Sequence, residues 1–342
     1  MGYLTMSNKE REQVKVLERL KLKEITQKEA AAKLKISSRW VREKLKRYVE
    51  KGDIGLIHKN RGKESVRRWD DKEKQLTIDL LKSDWHGFGP KFTAEKLKEL
   101  HKIKVDKETV RKAMMAAGIW QGKKRRNNHR KRRERRPMFG MMVQLDGSPH
   151  DWFEGRAGKC TLLVFIDDAT SKILWLEFVD SESTMALLQA TKNYIETHGI
   201  PHEFYVDHGG VFRVNLNNKD HEKITQWERA VEQMGIKVIH AHSPQAKGRV
   251  ERCNQTMQDR LVKELRLAGI SSMEVANAYL RTSHFIKKHN AEFSSEATQS
   301  GNAHADHQSY DLDNIFCIKE TRILMNDFTV TFNKHIFQLH AQ

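Results

Sequence analysis

Ten of the fourteen residues from Lys123 to Arg136 are lysine or arginine. No packed core absorbs such a run, because each buried cation would need its own partner. The segment therefore reads as an extended linker, self-repelling until phosphates neutralise it, and it divides the chain in two. The two parts differ in charge. Residues 1–140 carry 41 Lys and Arg against 19 Asp and Glu, whereas residues 141–342 carry 21 against 26, so the net +17 arises wholly in front. Such an asymmetry is the footprint of a polyanion-binding front half, and DNA is the expected partner. At 342 residues there is room for two or three folded units. The longest apolar run, Thr161 to Ile166, is far short of the roughly 18 residues of a membrane span, and the first thirty residues are too charged for a signal peptide. No membrane contact is expected, and the expected location is cytoplasmic, associated with the nucleoid. Cys160, Cys253 and Cys317 are far apart and form no C-x-x-C pair, which argues against a disulfide framework or a structural zinc site.

The front half reads as all-helical. Glu10 to Leu22 sets Val14, Leu17 and Leu20 or Leu22 on one face, and Thr26-Gln27-Lys28-Glu29 has capping-box spacing for a helix over 27–34. After a break at 35–37, Val41, Leu45 and Tyr48 recur at helical spacing beneath a basic face. This is helix-turn-helix spacing, with Ser38, Arg39, Arg42 and Lys46 placed to meet DNA from a recognition helix. A second helical group repeats the outline, with helices over 71–81, 93–100 and 107–117, the last capped by Asp106, carrying Arg111 and closed by Gly118. Two tandem modules are expected, 1–62 and 63–122, followed by the basic linker 123–137. In that linker Lys123, Lys124, Arg125, Arg126, Arg130 and Lys131 are expected to track the DNA backbone or minor groove. The loop Trp85 to Pro90 reads as a turn without chemistry.

After Pro137 the pattern changes to short β-forming runs, Met141–Asp146, Thr161–Asp167 and Lys172–Val179. Helices over 182–197 and 224–234 then alternate with strands over 203–206 and 236–239. Ser243-Pro244 opens a long helix to about Leu267, and one more helix spans Met273 to His289. That order predicts a mixed α/β sheet with helices on its faces over 138–290. Asp146 ends the first strand, Asp207 ends the fourth, and Glu251 lies about two turns into the long helix. If the two strands are neighbours, the three carboxylates converge, and so much negative charge is tolerable only around cations such as Mg²⁺. Two such ions clamp the attacking and leaving oxygens of a phosphoryl displacement. Singly, each acid has an ordinary reading: Asp146 and Asp207 precede turn formers, and Glu251 sits between Arg249 and Arg252. Lys247 and Gln255 flank Glu251 one turn away on either side, and Gly248 leaves room for a phosphate backbone.

Three blocks carry a resemblance. Gln144-Leu145-Asp146-Gly147, Val206-Asp207-His208-Gly209-Gly210-Val211-Phe212 and Ser243 to Asn254 resemble the signature blocks of insertion-sequence transposases with a retroviral-integrase-like core, in particular the ISNCY type. The resemblance implies an RNase H-like fold with a D-D-E metal site behind helix-turn-helix modules. It implies Asp146, Asp207 and Glu251 as ligands of Mg²⁺, or of Mn²⁺ in its place, with Lys247 and Arg249 near DNA. It also implies binding of element ends, cleavage to a 3′ end and strand transfer into target DNA, by a dimer or higher homo-oligomer. The alternatives are an inactive or truncated transposase-derived DNA-binding protein and a nuclease that cleaves without joining. His208 stands where many relatives carry Asn, and no His-His-Cys-Cys module is present. Asp151, Asp167 and Asp168 are the competing acids, although Asp167-Asp168-Ala169-Thr170 reads better as a hairpin turn. Residues 291–342 read as a polar linker to about Tyr310 and part of a small β-domain, whose first strands the segments 316–324 and 328–339 resemble; the family's chains usually continue further.

Overall fold

The computed structural model describes residues 5–58, 60–61, 68–122, 133–207, 211–212, 224–241 and 248–340. The chain forms two compact units, Met1–Lys74 and Gln75–Gln342. In the first, α1 (Asn8–Lys21), α2 (Gln27–Leu34) and α3 (Ser38–Lys51) enclose Leu17, Leu20, Ala30, Val41 and Leu56, while Leu22 is exposed. Thr26 and Glu29 form the expected capping box, and Ser7 and Glu10 form another at α1. Each satisfies amides that the first helical turn leaves unpaired.

The second unit begins with the rest of α4 (Asp71–Lys82), followed by α5 (Pro90–Leu100) and α6 (Lys107–Ala116). Asp106 caps α6 through the Glu108 amide at 2.8 Å. The loop before α5 is more than a turn: Trp85 and Phe88 are 2% and 1% exposed and stack at 5.5 Å, and Phe88 packs on Phe92. This aromatic group and its ionic surround seat α5 on the core. Lys96 donates to Glu264 at 2.7 Å in a buried pair, Arg260 chelates Glu95 at 2.8 and 3.1 Å, and Lys288 donates to Glu99 at 2.6 Å.

The sheet comprises β2 (Met142–His150), β3 (Cys160–Asp167), β4 (Ile173–Val179), β5 (Glu203–Val206) and β6 (Lys237–His240), in the order β4-β3-β2-β5-β6. The pairs β2/β3 and β3/β4 are antiparallel, and β2/β5 and β5/β6 are parallel. A short β1 (Met138–Phe139) precedes the sheet. β3 is buried along its whole length, which explains its unbroken apolar run. On one face Val143, Leu145, Leu163 and Phe165 pack with α7 (Thr184–His198) and α8 (Gln226–Gln233). On the other Leu162, Val164 and Ile166 pack with α9 (Gly248–Leu267) and α10 (Met273–Thr282). The Ser243-Pro244 cap expected for α9 lies outside the described residues.

The helix predicted from Met273 to His289 breaks at Ser283-His284 into α10 and α11 (Phe285–Phe293). Both helices run beside β4, an edge strand whose outer backbone groups need partners. Asn277 accepts from the Phe178 amide and donates to its carbonyl at 2.7 and 2.9 Å, and Asn290 does the same for Ile173 at 2.8 Å. The two amides serve opposite ends of the strand, one from each helix. Truncating either to alanine strands a donor and an acceptor, and should cost about 1–3 kcal/mol in denaturant unfolding.

The polar stretch after Asn290 is likewise no free linker. It returns over the core as β7 (Gln299–Asn302), parallel to β1, and Ala305 bridges Ile200. His304 lies over Gly140, where a Cβ would come within 2.3 Å of the ring, and accepts or donates at 2.6 Å with Tyr194 and Asn302. α12 (Leu312–Ile315) and Phe316 then join the core, so 316–324 holds no strand. A hairpin of β8 (Thr329–Phe332) and β9 (His335–Gln338) follows. Burial pushes both His304 and His289 down to about 4. Both are therefore neutral in the fold while the unfolded chain still takes up protons near 6.5. Stability of this unit should be unaffected above pH 6.5 and should fall as pH drops from about 6.5 to about 4, which thermal melts across that window would record.

Candidate active site

The sequence places polar residues at alternate positions of β2, Gln144, Asp146 and Ser148, and α9 answers each. Gln144 Oε1 accepts from the Val250 amide at 3.3 Å, Asn254 Nδ2 donates to Asp146 Oδ2 at 2.7 Å, and Gln258 Nε2 donates to Ser148 Oγ at 3.0 Å. Steps of two along a strand and four along a helix cover nearly equal lengths, about 6.6 and 6 Å, so this ladder sets the register of helix on strand. Asp207 directly follows β5. The parallel pairing of β2 with β5 ends at Gln144 and Tyr205, each two residues before its aspartate, Asp146 and Asp207. The backbone carbonyl of Asp207 lies 3.4 Å from His240 Nδ1, and His240 Nε2 lies 3.2 Å from Glu228.

Glu251 is exposed on the first turn of α9, three residues before Asn254. Asp146 thus lies on β2, Asp207 directly after the neighbouring β5, and Glu251 on the helix packed against β2. Among the described residues no three Asp, Glu, His or Cys side chains are close enough together to hold a metal ion. Gln255, expected beside Glu251, is exposed, and Asn254 is the residue that meets the site. Asn254 is 8% exposed, and its Oδ1 is buried without a hydrogen-bond partner next to Asp146. An orphaned oxygen beside a carboxylate, in an all-oxygen donor set, suits a hard cation or its water.

The competing acids have other partners. Asp167 accepts from Gly140 and from both the amide and hydroxyl of Thr170, and burial pushes its carboxyl up. It closes the β3–β4 turn as predicted. Asp168 is fully buried and holds Arg249 at 2.6 Å, which turns that arginine toward the protein. Burial pushes the Arg249 guanidinium down, opposed by the Asp168 charge. Asp151 accepts from the Gly155 amide. On α3, Arg39, Arg42 and Lys46 are exposed at i, i+3 and i+7 spacing. Arg111 is bound to Glu108 on its own helix at 2.6 and 2.8 Å. Lys123, Lys124, Arg125, Arg126, Arg130, Lys131 and Lys247 lie outside the described residues.

Over 342 residues the chain is 38% identical to y4bF of Sinorhizobium fredii, whose name places it among transposases; the match covers 99% of this chain and 74% of that protein. The chain belongs to the insertion-sequence transposases. A second transposase, that of insertion sequence IS1202 from Streptococcus pneumoniae, is 28% identical over 313 residues, covering 80% of this chain and 66% of its own. No protein-family model matches. Among solved structures, a simian T-cell lymphotropic virus intasome aligns with a TM-score of 0.36 at 14% identity, covering 59% of this transposase and 66% of that chain. A pre-cleavage Mos1 transpososome aligns at 0.24 and 15%, covering 84% and 97%. Among the described residues of the transposase no helix is long and apolar enough to cross a membrane.

Proposed function

We propose that this transposase acts on DNA through a D-D-E site in an RNase H-like core. The observation that carries the reading is the ladder that fixes α9 on β2, which supports it by packing the helix of Glu251 on the strand of Asp146, next to the strand that Asp207 follows. Three antiparallel strands continued by two parallel ones, with helices on both faces, support the RNase H-like assignment. Asp146, Asp207 and Glu251 would hold Mg²⁺, or Mn²⁺ in its place, which when bound supplies charge to the attacking and leaving oxygens. A Cβ at Gly248 would meet nothing within 4 Å, so the start of α9 has open space for a phosphate backbone.

In the first reaction a water oxygen bonds to the phosphorus at the element end, the P–O3′ bond breaks, and the 3′-oxygen takes up a proton. In the second that 3′-hydroxyl bonds to a target phosphorus, the target's own P–O3′ bond breaks, and the proton ends on the released 3′-oxygen. α1–α3, with Arg39, Arg42 and Lys46 exposed on α3, would act as a helix-turn-helix that binds the terminal repeats. α4–α6 would be the second DNA-binding module, and the run from Lys123 to Lys131 would track the backbone. Joining two ends requires at least a dimer. The test is a strand-transfer assay on the element's own ends with Mg²⁺ or chelator. Metal-dependent joined products, absent for Glu251→Gln, support the reading; binding without cleavage under all conditions overturns it, and cleavage without joining reassigns the chain as a nuclease.

A further inference from the structure

Asp168 has an environment that the turn it belongs to does not explain. The neighbouring Asp167 already satisfies the turn, and the side-chain partners of Asp168 all come from elsewhere. Gln144 Nε2 and Arg249 Nη1 donate to its Oδ1 at 2.6 Å, Arg133 pairs with the same oxygen, and the Arg136 amide donates to Oδ2 at 2.8 Å. Arg249 Nη2 closes a ring on the Arg133 carbonyl at 2.5 Å. Arg135 donates to the carbonyls of Asp168 and Ala169 at 3.0 Å. Gln144 turns its other end to the Val250 amide, one of the first-turn amides for which the helix has no acceptor.

One buried carboxylate thus ties together the end of the basic run, the strand bearing Asp146 and the helix turn bearing Glu251. We propose that Asp168 is a positioning residue: it holds the first turn of α9 in register with Asp146, and it makes that register depend on the docked end of the linker. The consequence for catalysis rests on the D-D-E reading above, whereas the register itself does not.

Hydrogen exchange on the full chain separates the two. Asp168→Asn keeps the shape and an acceptor for Gln144 but removes the charge that holds both guanidiniums. Amides of Val250, Arg252 and Cys253 should lose protection about tenfold or more, as expected for lost charge-assisted hydrogen bonds, while those of 258–267 stay unchanged. Arg133→Ala, a change at a part-exposed side chain, should reproduce the loss, and Arg133→Lys should restore part of it. In strand transfer the same variants should lower kcat about tenfold with KM for end DNA within about twofold. Unchanged protection in Asp168→Asn and Arg133→Ala overturns the proposal, as does an even loss along all of α9, which would mean a general core role. If Asp168→Asn does not fold, the two Arg133 variants decide alone. Should every form be inactive on DNA, the exchange result still stands or falls by itself, so failure of the catalytic reading is not mistaken for failure of this one.

Discussion

Asp146→Asn should abolish metal-dependent cleavage and joining while leaving binding of element ends within about twofold. The substitution is nearly isosteric, and the introduced amide oxygen can still accept from Asn254, which now donates to Asp146 at 2.7 Å. The ladder between β2 and α9 is therefore kept, and the fold with it. What is lost is one negative charge at the point where the two strands and the helix meet. Outer partners of a metal cost 10–100-fold when removed, so loss of a ligand itself should exceed roughly a hundredfold. If the cations of α3 and the basic run carry end binding as proposed, that binding should retain its steep salt dependence. Gel-shift and strand-transfer assays on the same preparation separate the two effects. Full strand transfer by the variant would sink the site assignment.

Lys96→Met should destabilise the second unit strongly, costing about 3–5 kcal/mol. Lys96 is 4% exposed and neutralises Glu264, itself 9% exposed, at 2.7 Å, with Glu99 at 3.0 Å completing the group. Removing the cation leaves a buried carboxylate without its charge partner. The double variant Lys96→Met with Glu264→Leu should recover most of the loss, because apolar groups of similar volume need no charge partner. Denaturant midpoints for the two variants give the answer, read on the transition of residues 75–342. An equal loss in both would mean that packing, and not charge, is at stake.

Much of the core was legible in the sequence because its elements are strongly patterned. The short β-forming runs of β2 and β3 point to strands within a few residues of those observed, and the Asp167 turn, the Thr26 capping box and the Asp106 cap follow from local chemistry. What sequence reading missed depends on contacts between distant residues. Asn277 and Asn290 look like ordinary surface amides until the edge of β4 lies beside them, and nothing in the helix period announces the break at Ser283. Trp85 and Phe88 sit among glycines that read as a turn, yet two large aromatics so close together were themselves a signal of burial. Asn254 was overlooked for Gln255 because i+4 spacing was counted from Glu251, whereas the contact that matters is counted from Val250, in step with Gln144. Asp168 was set aside as turn chemistry, and only the fold reveals that its neighbour does that work.

The long helix α9 has two masters. Its first turn carries Glu251, and some thirteen residues later Arg260, Glu264 and Arg266 grip α5 and the loop before it through Glu95, Lys96 and His86. At about 1.5 Å per residue these grips are roughly 20 Å apart on one rigid rod. A rod cannot tilt at one end alone. Any shift of α5 and the loop before it is therefore felt at the Glu251 turn on the far end, so that one end of the strut reports what the other is holding.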